Sequence, residues 1–161
     1  MNEIFFLMHI FLMLAFLLGA LRLGKEALIA IVCLMAVLAN IFVVKQTGLF
    51  GLSVTCSDVY AVGSILGLNL LQEYFGQKTA QKTTNISFLL LVFFAIMAKW
   101  QLFYAPLSGD LIHSAFERIF GSTFRIVGAS FLVFYLVQQL DVRLYGFCKK
   151  QSTNSGELLQ R

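Results

Sequence analysis

Two long uncharged runs near the N-terminus constrain this chain more than any other feature. Residues 4–21 and 27–44 contain no Asp, Glu, Lys or Arg. A helix needs about 20 mostly apolar residues to cross a bilayer, so each run is of spanning length. The first run is preceded by Glu3 and by no Lys or Arg, which argues against a cleaved signal peptide. Both runs therefore predict membrane-spanning helices.

The composition excludes the main soluble classes. Hydrophobic residues make up 59% of the chain and charged residues 12%, and the mean hydropathy is +0.83. A small globule could not bury so much apolar surface, and a disordered chain would not carry it. The net charge of +4 comes without a basic cluster with interleaved aromatic residues, so no nucleic-acid partner is expected. The lipid bilayer is the expected surrounding.

The rest of the chain adds three further predicted spans. Residues 48–76 predict an entry turn and then a helix from about residue 54 to residue 75. Residues 86–98 predict a fourth helix that continues to about residue 103, and residues 119–147 predict a fifth. The predicted fold class is all-α, a polytopic membrane helix bundle with about five transmembrane helices. Residues 1–148 would form one domain, and residues 149–161 a flexible polar tail.

The distribution of Lys and Arg predicts the orientation of this bundle. With five spans, one side receives eight basic residues and the other three or four. The side with more basic residues faces the cytoplasm. We therefore expect a multi-pass protein of the inner or plasma membrane, with its N-terminus outside and its C-terminus in the cytoplasm.

The third segment carries the densest set of polar residues in an apolar setting. Asp58 and Asn69 are eleven positions apart, which places them on one side of a helix about 16 Å apart along its axis. Gln72 and Glu73 continue that stripe. Ionisable groups inside a bilayer are costly and mark function by default, so this face is expected to reject lipid and to look into the bundle. On the same helix, Gly63 and Gly67 are four positions apart. This spacing would let a neighbouring helix or a flat ligand approach the backbone closely.

The second and fifth spans offer further candidate binding residues. Arg125 and Gln139 are fourteen positions apart, within about 40° of each other around a helix. Asp141 follows near the cytoplasmic end, next to Gln138. Asn40 is the strongly polar member of the second span. Carboxylate, amide and guanidinium groups from several helices could satisfy one another, or they could present donors and acceptors to a polar planar ligand.

Each of these residues also has a structural interpretation, and the sequence leaves both open. Asn40 could make an interhelical hydrogen bond, and Asp58 could stay hydrated at the outer interface. Glu73 could lie in a wet cytoplasmic loop. Arg125 could neutralise Asp58 without touching a substrate.

No pattern in the sequence supports an enzyme, a metal site or a cofactor. The nucleophile elbow, zinc-protease, P-loop and dinucleotide-binding patterns are all missing. The three cysteines, Cys33, Cys56 and Cys148, are isolated and lack metal-ligand spacing. We therefore expect no catalytic residues, no metal and no cofactor.

Several short stretches, in this order, resemble one transporter family. Residues 22–26 read RLGKE and residues 39–45 read ANIFVVK, followed by LFGL; residues 65–82 read ILGLNLLQEYFGQKTAQK; and near the C-terminus stand IFG, RI and QQLDV. Together they resemble the queuosine precursor transporter family, which belongs to the wider group of vitamin-uptake-like transporters. The resemblance covers nearly the whole chain.

The resemblance implies import of 7-deazaguanine compounds: 7-cyano-7-deazaguanine, 7-aminomethyl-7-deazaguanine or queuine. Asn69 and Glu73 would accept hydrogen bonds from the guanine-like edge. Arg125 would face the carbonyl, and Gln139 with Asp141 would complete the set. Asn69 stands where the family usually has Asp, which removes a charge and keeps a hydrogen-bonding group.

The family pattern continues for about two further spans, whereas this sequence stops at Arg161. The expectation is a truncated or split member, with the missing spans supplied by another chain or with pairing into a homo-oligomer. Two alternatives stay open: an S-component-like substrate-binding subunit of a vitamin uptake system, and an inactive fragment.

Overall fold

The computed structural model describes residues 1–121, 133 and 135–146, and within this part the chain is a helix bundle with one short hairpin. The elements run in the order α1 (Asn2–Leu23), α2 (Lys25–Phe42), β1 (Gln46–Leu49), β2 (Leu52–Thr55), α3 (Asp58–Phe75), α4 (Gln77–Gln101) and α5 (His113–Phe116). A π-helical turn, Glu117–Gly121, follows α5 directly. Residues 135–146, with residue 133, are helical and are named α6 here. The predicted all-α membrane bundle is confirmed.

Three of the described helices are long and apolar enough to cross a membrane: α1, α2 and α4, with 22, 18 and 25 residues. The outward faces of these helices carry large apolar side chains, such as Phe11 and Phe16 on α1, which are 72% and 67% exposed. Such a face is stable only against acyl chains. The chain is therefore a membrane protein.

α2 lies at the centre of the bundle and packs against α1, α3 and α4. Side chains with no exposed surface join the helices, among them Leu17 of α1, Leu28 and Val32 of α2, and Leu68 of α3. Because lipid is as apolar as these side chains, close van der Waals packing holds the helices together.

The third segment differs from its prediction, because a β-hairpin replaces the expected entry turn. β1 and β2 pair antiparallel with Leu49 opposite Leu52, and the two residues between them have positive φ, 51° at Phe50 and 78° at Gly51. Two positive φ values are typical of the tight turn whose twist matches a hairpin. β2 includes residues 54 and 55, the predicted start of the helix, so α3 begins at Asp58 and not at residue 54.

The fourth helix also differs from its prediction, since α4 begins at Gln77 and not near residue 86. Gly76 separates it from α3 with a φ of 85°, which favours glycine. The polar start of α4 is compatible with a helix because its hydroxyls bond within it. The Thr83 hydroxyl donates to the Thr79 carbonyl at 2.9 Å, and the Thr84 hydroxyl to the Ala80 carbonyl at 3.1 Å.

The fifth predicted span, residues 119–147, is only partly described. Its beginning is π-helical through Gly121, and residues 135–146 form α6. Residues 122–132 and 134 lie outside the described residues, as do residue 147 and the predicted tail, residues 149–161. The domain boundary at residue 148 therefore stays a prediction.

Candidate functional site

The polar side chains of three helices meet where α3 ends and α4 begins. A single glycine, Gly76, joins these two helices, so the last turns of α3 lie beside the first turns of α4. α6 packs across the same region, with Val142 fully buried in the common core. The sequence-predicted residues Asn69, Gln72 and Glu73 are all on the part of α3 that this junction includes.

The stripe on α3 runs from the interior to the surface. The Gln72 side chain is buried, with the residue 3% exposed. Asn69, one turn earlier, is half-buried, and Glu73 is exposed. The predicted polar face is therefore turned partly into the bundle, and its carboxylate lies at the rim.

α6 contacts this stripe directly. The Tyr145 hydroxyl donates a hydrogen bond to Oε2 of Glu73 at 3.0 Å. A Cβ atom added to Gly146 would lie 2.9 Å from Nε2 of Gln77 and 3.2 Å from Nε2 of Gln72. The missing side chain of this glycine therefore lets α6 approach the amides of α3 and α4.

α4 supplies a residue that joins it to α6. The Oδ1 atom of Asn85 accepts hydrogen bonds from Nε2 of Gln139 at 3.1 Å and from the Tyr135 hydroxyl at 3.3 Å. Closer to the core, Nε2 of Gln138 reaches the Ser64 hydroxyl of α3 at 3.5 Å. The amides of α6 are thus anchored on both neighbouring helices.

These residues form one group, which we name the polar cluster. It comprises Asn69, Gln72 and Glu73 of α3, Asn85 of α4, and Gln139, Asp141 and Tyr145 of α6. Asp141 belongs to it by position, because it lies three residues after Gln138 and four before Tyr145, on the same face of α6. Asn85 and Tyr145 were not among the residues predicted from the sequence. Asn85 could have been found if the polar stretch at the start of α4 had been interpreted as helix and not as loop.

Three buried oxygen atoms of the polar cluster have no hydrogen-bond partner within the described residues: Oδ1 of Asn69, Oε1 of Gln72 and Oδ2 of Asp141. A buried acceptor left without a donor costs about 1–3 kcal/mol. Groups that persist at such a cost are candidates for ligand contacts. Since all three are acceptors, the ligand that suits them carries several N–H donors.

Two further predicted site residues, Asp58 and Asn40, lie apart from the polar cluster. Asp58 is exposed at the first residue of α3, at the opposite end of that helix. Asn40 is buried in α2, and its Nδ2 donates to the carbonyl of Ala36 in the same helix at 2.9 Å. Arg125 lies outside the described residues. The structure thus brings together five of the eight predicted residues: Asn69, Gln72, Glu73, Gln139 and Asp141.

The glycine face of α3 is already occupied inside the chain. A Cβ atom on Gly67 would lie 2.4 Å from Cγ2 of Val32, and one on Gly63 would lie 2.8 Å from Sδ of Met13. This face therefore packs on α1 and α2, so of the two expected occupants, a neighbouring helix or a flat ligand, the structure shows neighbouring helices. Across the described ranges, no three His, Cys, Asp or Glu side chains are grouped so that they could hold a metal ion.

Comparison with known proteins gives the family. Residues 55–161 match the family model described as "Putative vitamin uptake transporter". That range includes α3, α4 and α6, and it is well over half of the chain. The chain belongs to the vitamin uptake transporter family. The predicted resemblance is confirmed.

One curated protein is similar over most of the chain. It is a protein of Bacillus subtilis (strain 168) named "Probable queuosine precursor transporter", 32% identical over 146 residues. The match covers 91% of this chain and 62% of the Bacillus protein, so the chain spans less than two thirds of its relative's length. No solved structure matches the chain.

Proposed function

We propose that this protein imports queuosine precursors across the cell membrane and is not an enzyme. The substrates would be 7-deazaguanine derivatives: 7-cyano-7-deazaguanine, 7-aminomethyl-7-deazaguanine or queuine. Two findings support the proposal. The similar Bacillus protein carries the name of a queuosine precursor transporter, and the polar cluster holds three buried acceptors without donors within the described residues.

The observation that carries the proposal is this excess of acceptors. The edge of a guanine-type base presents a ring N–H and an exocyclic amine side by side, and amide or carboxylate oxygens accept from both. The Oδ1 atom of Asn69 and a carboxylate oxygen of Glu73, one turn apart on α3, are our proposed acceptors for that edge. Oε1 of Gln72 offers a further acceptor.

The remaining roles follow from position. Gln139 is held by Asn85 at 3.1 Å, so it positions α6 against α4. Asp141, on the face of α6 between Gln138 and Tyr145, would complete the acceptor set. Arg125 is our proposed donor to the lactam carbonyl of the base, on the sequence resemblance alone. Asp58 and Asn40 are proposed as polar groups along the route to the cluster, because each lies nearer the other end of the bundle.

The proposal includes the orientation given by the basic residues. Lys78 and Lys82 are exposed at the start of α4, beside the polar cluster. The excess of Lys and Arg on that side supports a cytoplasmic location for that end. The hairpin end of the bundle would then face outside, so substrate would travel from the hairpin end to the polar cluster.

An uptake assay tests the proposed function. Cells that cannot make the precursor should regain queuosine in their tRNA when they express this protein and receive the precursor. A Glu73→Gln variant of the same expression level should restore little queuosine, and the exposed-site variant Tyr74→Phe should restore as much as the parent. Absence of queuosine with the parent protein present in the membrane would refute transport by this chain and would favour the subunit or inactive-fragment alternative.

A further inference from the structure

The hairpin end of the bundle, away from the polar cluster, contains a cavity of about 250 Å³. No residue of the polar cluster lines it. It is built from four parts of the chain: α1, the end of α2 with the turn after it, the hairpin, and the start of α3. Its lining residues are His9, Phe42, Lys45, Thr47, Cys56 and Tyr60. Pockets for drug-sized ligands measure about 300–1,000 Å³, so this cavity suits a smaller molecule of one or two rings.

Aromatic rings form one wall of this cavity. The His9 ring meets Tyr60 edge to face, with centroids 4.8 Å apart. Phe42 stacks on Tyr60 with centroids 5.6 Å apart and planes 28° apart. Three helices thus contribute one ring each to a continuous aromatic surface. Such a surface favours a flat ring, which can stack on a face or meet an edge.

Polar groups stand beside this wall. Lys45 supplies an ammonium group and Thr47 a hydroxyl, and both can donate to an acceptor on the ligand. Nε2 of His9 is buried and has no hydrogen-bond partner in the described part of the chain. A purely apolar ligand such as an acyl chain would leave the buried Nε2 of His9 without a partner, at a cost. The lining therefore suits a heteroaromatic ring with a polar edge.

The cavity is separate from the polar cluster. Tyr60 and Asn69 are nine residues apart on α3, which is two and a half turns, or about 14 Å along the axis. The two side chains therefore leave α3 on opposite faces. Tyr60 faces α1 and α2, whereas the stripe that begins at Asn69 faces α4 and α6.

We infer that this cavity is a second binding site, one that takes a small planar heteroaromatic molecule with a hydrogen-bond acceptor on its edge. The ring lies against Tyr60 and Phe42, and the acceptor faces Lys45 and Thr47. The choice of 7-deazaguanine as the first probe rests on the proposed function. The site itself depends only on the cavity and its lining.

Cys56 lines the cavity and can report its occupancy. A Cys33→Ala, Cys148→Ala variant leaves Cys56 as the single thiol of the chain. Membrane vesicles holding this variant would be labelled with a maleimide in the presence of 7-deazaguanine or of ribose. We expect saturating 7-deazaguanine to slow labelling of Cys56 at least fivefold and ribose to leave the rate unchanged.

Substitutions of the aromatic wall give the specific test. Tyr60→Leu should raise the 7-deazaguanine concentration for half-protection at least tenfold, and Tyr60→Phe should keep it within twofold of the parent. Phe11→Leu, at an exposed phenylalanine on α1, is the matched control and should match the parent. If Tyr60→Leu does not accumulate, Phe42→Leu and Lys45→Gln replace it, with a rise of at least threefold expected for each.

The outcomes separate this inference from the proposed function. Equal labelling with and without 7-deazaguanine, equal protection by ribose, or unchanged protection in the wall variants would overturn the second site. Protection of Cys56 in a chain that shows no uptake would refute transport and leave the site standing. A Glu73→Gln variant that loses uptake and keeps Cys56 protection would support both.

Discussion

The Tyr145 hydroxyl donates a hydrogen bond to Oε2 of Glu73 at 3.0 Å, which joins two residues 72 positions apart in the chain. The bond connects the carboxylate end of the α3 stripe to α6. It holds Glu73 where the end of α3 and the start of α4 meet. In our account this orients the carboxylate toward the bound substrate.

Tyr145→Phe should therefore weaken substrate uptake without changing the amount of protein in the membrane. A hydrogen bond to an exposed charged group is worth about 1 kcal/mol, so we expect the substrate concentration for half-maximal uptake to rise about fivefold. The measurement is initial uptake rate against precursor concentration. Tyr74→Phe, at an exposed tyrosine on α3, serves as the control. Identical curves for Tyr145→Phe and the parent would mean that this bond does not orient Glu73 for binding.

Gly67 allows α3 to pack closely on α2, and this contact gives a stability prediction. Gly67→Ala would place Cβ 2.4 Å from Cγ2 of Val32. Overpacking of this kind costs about 1–3 kcal/mol, and the melting temperature in detergent should fall by about 3–9 °C. Val32→Ala in the same chain should recover part of the loss. Gly19→Ala, where a Cβ meets nothing within 4 Å, should not lower the melting temperature.

The Gly67 result also tests the glycine face as an interface between copies. If that face joined two copies, Gly67→Ala would dissociate a dimer and leave the melting temperature of the monomer unchanged. Size-exclusion chromatography with light scattering would show this directly. Such a result would contradict the packing of Gly67 against Val32.

The sequence was sufficient for the parts of the fold that depend on composition alone. The uncharged runs located α1 and α2 within a few residues, because a bilayer requires an unbroken apolar length. The sequence was insufficient for the start of α4. There the hydroxyls of Thr83 and Thr84 donate hydrogen bonds to the carbonyls four residues earlier, so these polar residues fit inside a helix. It also missed the hairpin, since Phe50 adopts the positive φ that Asn or Gly usually takes in such turns.

The residues of the candidate site that lie on one helix could be predicted from the sequence, whereas the contacts between helices could not. The spacing of Asn69, Gln72 and Glu73 follows from the helical repeat. The partners Asn85 and Tyr145 depend on how α4 and α6 pack, which no local pattern encodes. Whether Arg125 joins the polar cluster stays a prediction.

Asn85 holds α4 and α6 together through two accepted bonds. Asn85→Leu removes the acceptor for both Gln139 and Tyr135. Each bond contributes about 1 kcal/mol, so we expect the melting temperature to fall by about 4–8 °C. Asn85→Asp keeps the acceptor and should retain most of the stability. An equal fall in melting temperature in both variants would show that the shape of the Asn85 amide is important for stability and that its acceptor oxygen is not.

Asn69 should show opposite effects on stability and on function. Asn69→Leu removes a buried acceptor that has no partner in the described residues. We expect the free energy of unfolding to rise by about 1 kcal/mol, because the penalty for that acceptor is relieved. Uptake should fall at least tenfold, since the substrate edge loses its acceptor. Val62→Leu, at an exposed position on the same helix, should leave both quantities unchanged. A loss of stability in Asn69→Leu would indicate a structural role for this amide.

Equilibrium binding of radiolabelled 7-cyano-7-deazaguanine to the purified protein would show whether the polar cluster holds the substrate. The polar cluster predicts a saturable binding component, separate from that of the Tyr60 cavity, whose affinity falls at least tenfold in Asn69→Leu and in Glu73→Gln and is unchanged in Val62→Leu. Saturable binding of equal strength in all four proteins would place the substrate elsewhere and contradict the account.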